Sequence, residues 1–254
     1  MSAAQTTTAG RGIRVERGAK RIRAYFAGTA VADTIRPLLV WEVPYYPTYY
    51  FPLEDVRDDL LHGDGSGRGA NGDGELLTVR VGDREAPGSA IRFDEAASNK
   101  RLRGTVRLEW SAMDAWFEED EEVFTHARDP HSRVDILASS RHVRVEVSAE
   151  VVAESTSPRL LFETGLPARY YLPKPHVRLD LLEPSETVTH CPYKGRAETF
   201  SVRAGGRLRP DLAWSYPAPL PESQKIAGLI AFYNEKVDLF VDGAREERPQ
   251  TPFN

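Results

Sequence analysis

Residues 21–61 read RIRAYFAGTAVADTIRPLLVWEVPYYPTYYFPLEDVRDDLL, and residues 142–182 read HVRVEVSAEVVAESTSPRLLFETGLPARYYLPKPHVRLDLL. The two stretches align without a gap at an offset of 121 residues, with 14 of 41 positions identical. A long, constant internal period means two copies of one structural unit. It also supplies an internal control. Residues shared by both copies are expected to serve the fold, and residues found in one copy only are where a special task can sit.

Each copy breaks into short β-type runs punctuated by Gly and Pro. Ile22–Phe26 and Val143–Val147 alternate, as half-buried strands do. Ala30–Asp33 and Glu150–Glu154 follow tight turns, so each copy opens on a hairpin. Leu38–Val43 and Arg159–Thr164 supply the next strand, and Tyr49-Tyr50 and Tyr170-Tyr171 the one after, ended by Pro52 and Pro173. Pro52–Leu61 reads as one short helix, with proline at its start and acids in its first turn; Lys174–Leu182 is its counterpart. The later parts match more weakly: Glu75–Arg80 with Glu198–Arg203, Ala90–Phe93 with Ala213–Tyr216, and Gly104–Trp116 with Gly228–Phe240. The expected fold is mainly β, with two similar antiparallel domains in tandem, each carrying one short helix. The expected boundaries are a disordered start over 1–12, a first domain over 13–118 and a charged linker over 119–135. A second domain over 136–243 and a tail over 244–254 complete the chain.

Bulk properties exclude several classes. The 254 residues suffice for two domains of about 110–125 residues. A domain of that size closes a core without staples. Net charge is −5 and acids are interleaved with bases, so nothing resembles a nucleic-acid footprint. Cys191 is the one cysteine, which excludes an intrachain disulfide and a multi-cysteine zinc site, so no metal or cofactor is expected. No apolar run approaches a membrane span, and residues 1–10 lack the apolar segment of a signal peptide, so a cytoplasmic protein is expected.

Where the copies differ is most informative. The first has a stretch over 62–74 with six glycines in 13 residues, a flexible loop by composition. Gly67, Gly69 and Gly72 spell G-x-G-x-x-G there, but a helix precedes and a strand follows, the reverse of what phosphate binding needs. The second copy instead has Thr187–Gly195, with Cys191, Tyr193, Lys194 and Gly195 close together. Thr189, Cys191 and Tyr193 share one strand face and His190 the other, so His190 is badly placed to activate the thiol. Lys194 then either meets an anionic ligand while Tyr193 packs on its ring, or is solvated above a structural Cys191. Leu212, Trp214 and Tyr216 fall on one strand face, where aromatics are usually core. Glu42 and Glu163 recur inside apolar strands and need partners. Arg169 is a candidate partner for Glu163, whereas the first copy has Thr48 at the matched position.

The stretches LLFETGLPARYYLP (160–173), THCPYKG (189–195), AWSYPAPLPES (213–223) and IAGLIAFYNEKVDLFVDG (226–243) resemble the bacterial domain-of-unknown-function family 427. The resemblance covers most of the second copy and reaches the first through Val31–Asp33, Glu42 and Tyr49–Pro52. It implies β-tent-like domains, in which two sheets are pinched at one end and open at the other, where relatives bind ligands. Zinc on paired C-x-x-C motifs, common among β-tent proteins, does not carry over to a chain with one cysteine. The nucleotidyltransferase label sometimes attached to the family wants a metal-binding D-x-D that this chain lacks.

The functional expectation is a small-molecule binding module for an anionic or aromatic ligand. Its site would lie in the second domain and draw on Glu163, Arg169, Tyr170, Tyr171, Cys191, Tyr193, Lys194, Trp214 and Tyr216. Lys194→Ala is expected to weaken ligand binding and leave thermal stability nearly unchanged. The alternatives are an enzyme using Cys191 or Lys194 in the same pocket, and a protein-interaction scaffold. The sequence reveals no reaction.

Overall fold

The computed structural model describes residues 13–63 and 73–251. The start over 1–12, the glycine-rich segment over 64–72 and the last three residues of the tail lie outside them. The chain divides into two units that meet between Asp129 and Pro130.

The first unit runs β1 (Arg14–Arg17), β2 (Ile22–Phe26), β3 (Thr29–Thr34), β4 (Leu38–Trp41), β5 (Thr48–Pro52), β6 (Leu61–His62), β7 (Glu75–Val81), β8 (Arg84–Phe93), β9 (Thr105–Leu108), β10 (Ala115–Glu118) and β11 (Glu121–Glu122). The second repeats the series as β12 (Val134–Ala138), β13 (Val143–Val147), β14 (Glu150–Ser155), β15 (Arg159–Glu163), β16 (Arg169–Leu172), β17 (Leu182–Cys191), β18 (Gly195–Ala204), β19 (Arg207–Ser215), β20 (Ile230–Phe232), β21 (Asp238–Val241) and β22 (Ala244–Arg245). Each unit holds a seven-stranded and a four-stranded sheet. The orders β1-β4-β5-β9-β8-β7-β6 and β11-β10-β2-β3 become β12-β15-β16-β20-β19-β18-β17 and β22-β21-β13-β14. The register matches as well: Leu38 faces Tyr50 as Arg159 faces Tyr171, which puts Glu42 and Glu163 at equivalent places.

Alternation in β2 and β13 points Ile22, Ala24 and Phe26, and Val143, Val145 and Val147, into a core between the two sheets of each unit. The opposite face of each large sheet carries a second apolar cluster. In the first unit it contains Val40, Tyr50, Ile91 and Phe93 under Ala97 and Leu102. In the second it contains Leu161, Tyr171, Trp214 and Tyr216 under Ile226. Strands β5 and β16 are therefore buried on both faces, which explains their unbroken aromatic and apolar runs.

Two expectations are corrected in detail. The short helix is two separate 3-10 turns in each unit, Leu53–Asp55 and Asp58–Leu60, and Lys174–His176 and Leu179–Leu181. Between them Val56 and Val177 are extended and bridge Ala32 and Ala153. Burial of this shared β-branched residue in the core outweighs continued helix. The adjacent shared residues make the same fork in both units, Arg57 to Asp59 (2.8 and 2.7 Å) and Arg178 to Asp180 (2.8 and 2.6 Å). Second, Trp116 faces Ala24 as Leu239 faces Val145, so Trp116 matches Leu239 rather than Phe240. The stretch read as a linker, 119–135, carries structure of its own. β11 pairs with β10, Ala127 is in the first core, and Asp129 accepts a hydrogen bond from Trp41 Nε1 at 2.8 Å.

Candidate functional site

The outer face of the second large sheet gathers most of the predicted site residues. In β16 alternation sends Arg169 and Tyr171 to this face and Tyr170 into the inner core, so Tyr170 is not part of the cluster. Trp214 pairs in register with Ala231, which pairs with Tyr171, so the indole and the phenol lie on neighbouring rows. Leu212 packs in the inner core, not beside Trp214 as its spacing suggested. A register shift between β18 and β19 and a left-handed Asp211 (φ 50°) disturb the alternation just before Ala213.

Cys191, Tyr193 and Lys194 come from the turn joining β17 to β18. Lys194 N–H donates to the Cys191 carbonyl at 3.3 Å, and Gly195 follows at φ 92°, a conformation that suits glycine. The turn is clasped to the 3-10 helix Pro221–Ile226. Ser223 Oγ donates to the Tyr193 carbonyl at 3.0 Å, and Leu220 N–H to the Lys194 carbonyl at 3.1 Å.

That clasp turns Lys194 inward onto Glu163. Its Nζ bonds Glu163 Oε2, and the two side chains are 10% and 8% exposed. Lys194 is thus neither solvated nor a free arm, and Glu163 is paired by Lys194, not by Arg169. Arg169 instead forms a bidentate pair with Glu235, with both distances 2.7 Å and side chains 9% and 1% exposed. Thr251 Oγ1 donates to the same carboxylate at 2.6 Å. Burial pushes the Glu235 carboxyl up, but the Arg169 and Thr251 hydrogen bonds outweigh it and hold it below its usual range. A buried carboxylate left without its cation is costly. The expectation that Lys194→Ala would spare stability is therefore withdrawn.

Between the two ion pairs lie the rings. Trp214 Nε1 donates to Tyr171 Oη at 3.1 Å, with the rings edge-on at 6.1 Å, and Tyr233 packs on Trp214 at 4.5 Å. Arg169 lies 5.6 Å from the Trp214 ring centre. Burial raises the Tyr171 and Tyr216 phenols well above their ordinary value, and the nearby Cys191 and Glu163 push the same way, so both are neutral donors at pH 7. Tyr216 is 5% exposed and packs with Tyr171, Trp214 and Ile226 in the outer cluster. Cys191 is partly exposed, as are Tyr193 and Tyr233. Sequence reasoning missed Glu235 and Tyr233. The signal available was a second glutamate in an apolar run, AFYNEKV, of the kind that had singled out Glu163.

Among the described residues no group of three or more His, Cys, Asp or Glu side chains is placed to hold a metal ion. No helix among them is long and apolar enough to cross a membrane. The family described as "Domain of unknown function (DUF427)" matches the chain twice, over residues 14–119 and 135–243. No curated protein matches it.

Proposed function

The chain belongs to the DUF427 family as a tandem of two of its domains, and from that premise we propose that it is a small-molecule binding module, cytoplasmic, whose site is the outer face of the second domain. The observation that carries this reading is the convergence of the Lys194–Glu163 pair, the Cys191 thiol and the Tyr171 and Tyr216 phenols on one face of the sheet. Lys194 adds charge: an ammonium has three N–H donors, and one goes to Glu163. A small acid bearing a flat ring suits this set, its carboxylate or phosphate shared by Lys194 and Tyr216 and its ring against the neighbouring aromatics. The first domain has Phe93 at the position matched to Tyr216, and no counterpart of the clasped turn among its described residues.

Tyr216→Phe tests this directly, because it removes the hydroxyl and keeps the ring. A thermal-shift panel of aromatic carboxylates and phosphorylated metabolites is expected to stabilise the wild type, by about 2.7 kcal/mol for a ligand at a hundredfold excess over its Kd. The variant should bind the same compound about two- to tenfold more weakly, the worth of one hydrogen bond. If no panel member stabilises the wild type, or if both proteins are stabilised equally, the reading is wrong.

A further inference from the structure

The first unit carries a cleft of about 360 Å³ far from any residue of the cluster above in the sequence, between the turn at Trp110–Asp114 and the segment Glu122–Thr125. Its lining includes Trp110, Met113, Asp114, Trp116, Glu122 and Phe124, with no lysine or arginine. The two indoles are stacked at 4.5 Å and 3°. Trp116 is 3% exposed, and its Nε1 donates to the Trp110 carbonyl at 3.0 Å, which fixes the stack from below. Trp110 is the half-exposed upper ring.

The charge beside the rings is negative. Asp114 is matched, since it holds Arg84 through two bonds of 2.8 and 2.9 Å. Glu122 is exposed and makes no ion pair among the described residues. It ends the run Glu118–Glu122, five consecutive acids of which Glu118 and Asp120 are paired, with Lys20 and Arg23. An indole face next to an unpaired carboxylate, in a concavity without cations, selects positive charge that is weakly hydrated.

The internal repeat supplies the control. By strand register Trp116 becomes Leu239 in the second unit, and Glu122 becomes Arg245, which pairs with Asp238. The turn after β9, which supplies Trp110, is one residue longer than its counterpart after β20. The shared fold thus needs neither the stacked indoles nor the acid, and the second unit reverses the charge at that place. We propose that this cleft binds a small organic cation of the quaternary-ammonium type, with its charge over Trp110 and Glu122 as counter-ion.

The test is a titration of the full chain at low salt, read by calorimetry and tryptophan emission. The probes are choline and its neutral isostere 3,3-dimethylbutan-1-ol. Choline should bind saturably and at least about tenfold more tightly than the isostere, since shape is shared and only the cation–ring and cation–carboxylate attraction differs. Glu122→Gln, an exposed change that leaves folding intact, should weaken choline about threefold or more, and Trp110→Leu should abolish the emission response. Tyr216→Phe should leave choline binding unchanged, which separates this cleft from the second-domain site. Equal affinity for choline and the alcohol, no saturable choline binding, or full affinity in both Glu122→Gln and Trp110→Leu would each overturn the proposal.

Discussion

The outer faces of the two large sheets solve one electrostatic problem in two ways. Each buries part of a glutamate at the same strand position. In the first unit Glu42 takes Arg107 from the adjoining strand β9, at 2.8 and 3.2 Å, and Tyr50 Oη donates to it at 2.7 Å. In the second, Ala231 stands where Arg107 was, as their identical pairing with Tyr171 and Tyr50 shows. The cation comes instead from Lys194 on the turn. Tyr171, no longer bonded to the glutamate, accepts from Trp214, which stands where the first unit has Ile91. The fold demands a counter-charge for this glutamate but does not dictate which element brings it. Moving it from strand to turn leaves room beside Tyr171 for the indole and brings a thiol and a second phenol to the same place.

Breaking the two pairs is the sharpest test of that contrast. Lys194→Ala should destabilise the second unit by about 3–5 kcal/mol in urea unfolding, because it strands a buried carboxylate. The volume-conserving double change Glu163→Gln with Lys194→Met should cost far less. Arg107→Ala, at a pair 20% and 29% exposed, should cost clearly less than Lys194→Ala. Equal costs would mean that the two faces are not differently buried in solution.

The second ion pair sharpens the comparison through pH. The folded Glu235 carboxyl lies below its unfolded range, so the unfolded chain binds more protons in acid. Its contribution is complete above about pH 5 and is lost as pH falls through the depressed folded value. Glu235→Gln should lower stability at pH 7 by about 2 kcal/mol, the worth of bonds to a charged group, and flatten the acid limb of the stability curve. Glu118 in the first unit is also buried and also depressed, as hydrogen bonds from Lys20 and Tyr49 outweigh its burial, so Glu118→Gln should flatten the limb as well. An unchanged acid limb in both variants would contradict the assignment.

Smaller effects probe the rings and the opening hairpins. Trp214→Phe removes the bond to Tyr171 but keeps an aromatic ring, for a cost of about 1 kcal/mol by thermal denaturation. The β2–β3 turn has Ala27 and Gly28 at φ 48° and 72°, whereas the β13–β14 turn has Ser148 and Ala149 at 53° and 62°. Both match the mirror-image turn that hairpins favour, but alanine is strained there. Ala149→Gly should therefore stabilise the second unit by about 0.5–1 kcal/mol, whereas Gly28→Ala should do the reverse in the first.

Much of this was legible in the chain. The gapless repeat announced two units of one topology, and period-two alternation in Ile22–Phe26 and Val143–Val147 located the inner core. Most of the cluster was named too, because a glutamate inside an apolar strand and a lysine in a chain rich in arginine stand out. What failed depended on partners distant in sequence. Arg169 was offered to Glu163 because both lie in one stretch, yet it reaches Glu235, 66 residues on. Val56 sits in a helix-like sequence, but bridging to Ala32 decides its backbone.

Composition and pattern along the chain settled the repeat, the β class, the faces of the regular strands and the lack of a second cysteine for an intrachain multi-cysteine site. These follow from covalent composition and from a side-chain period of two, which are local properties. Tertiary structure alone decided which cation neutralises which carboxylate, and which rings gather beside them. It also decided that two indoles stack beside an unpaired glutamate in one unit only. Those outcomes depend on strand order and on turns folding back over a sheet. Ion pairs and hydrogen bonds act over a few ångströms of space, whereas sequence records distance only along the chain.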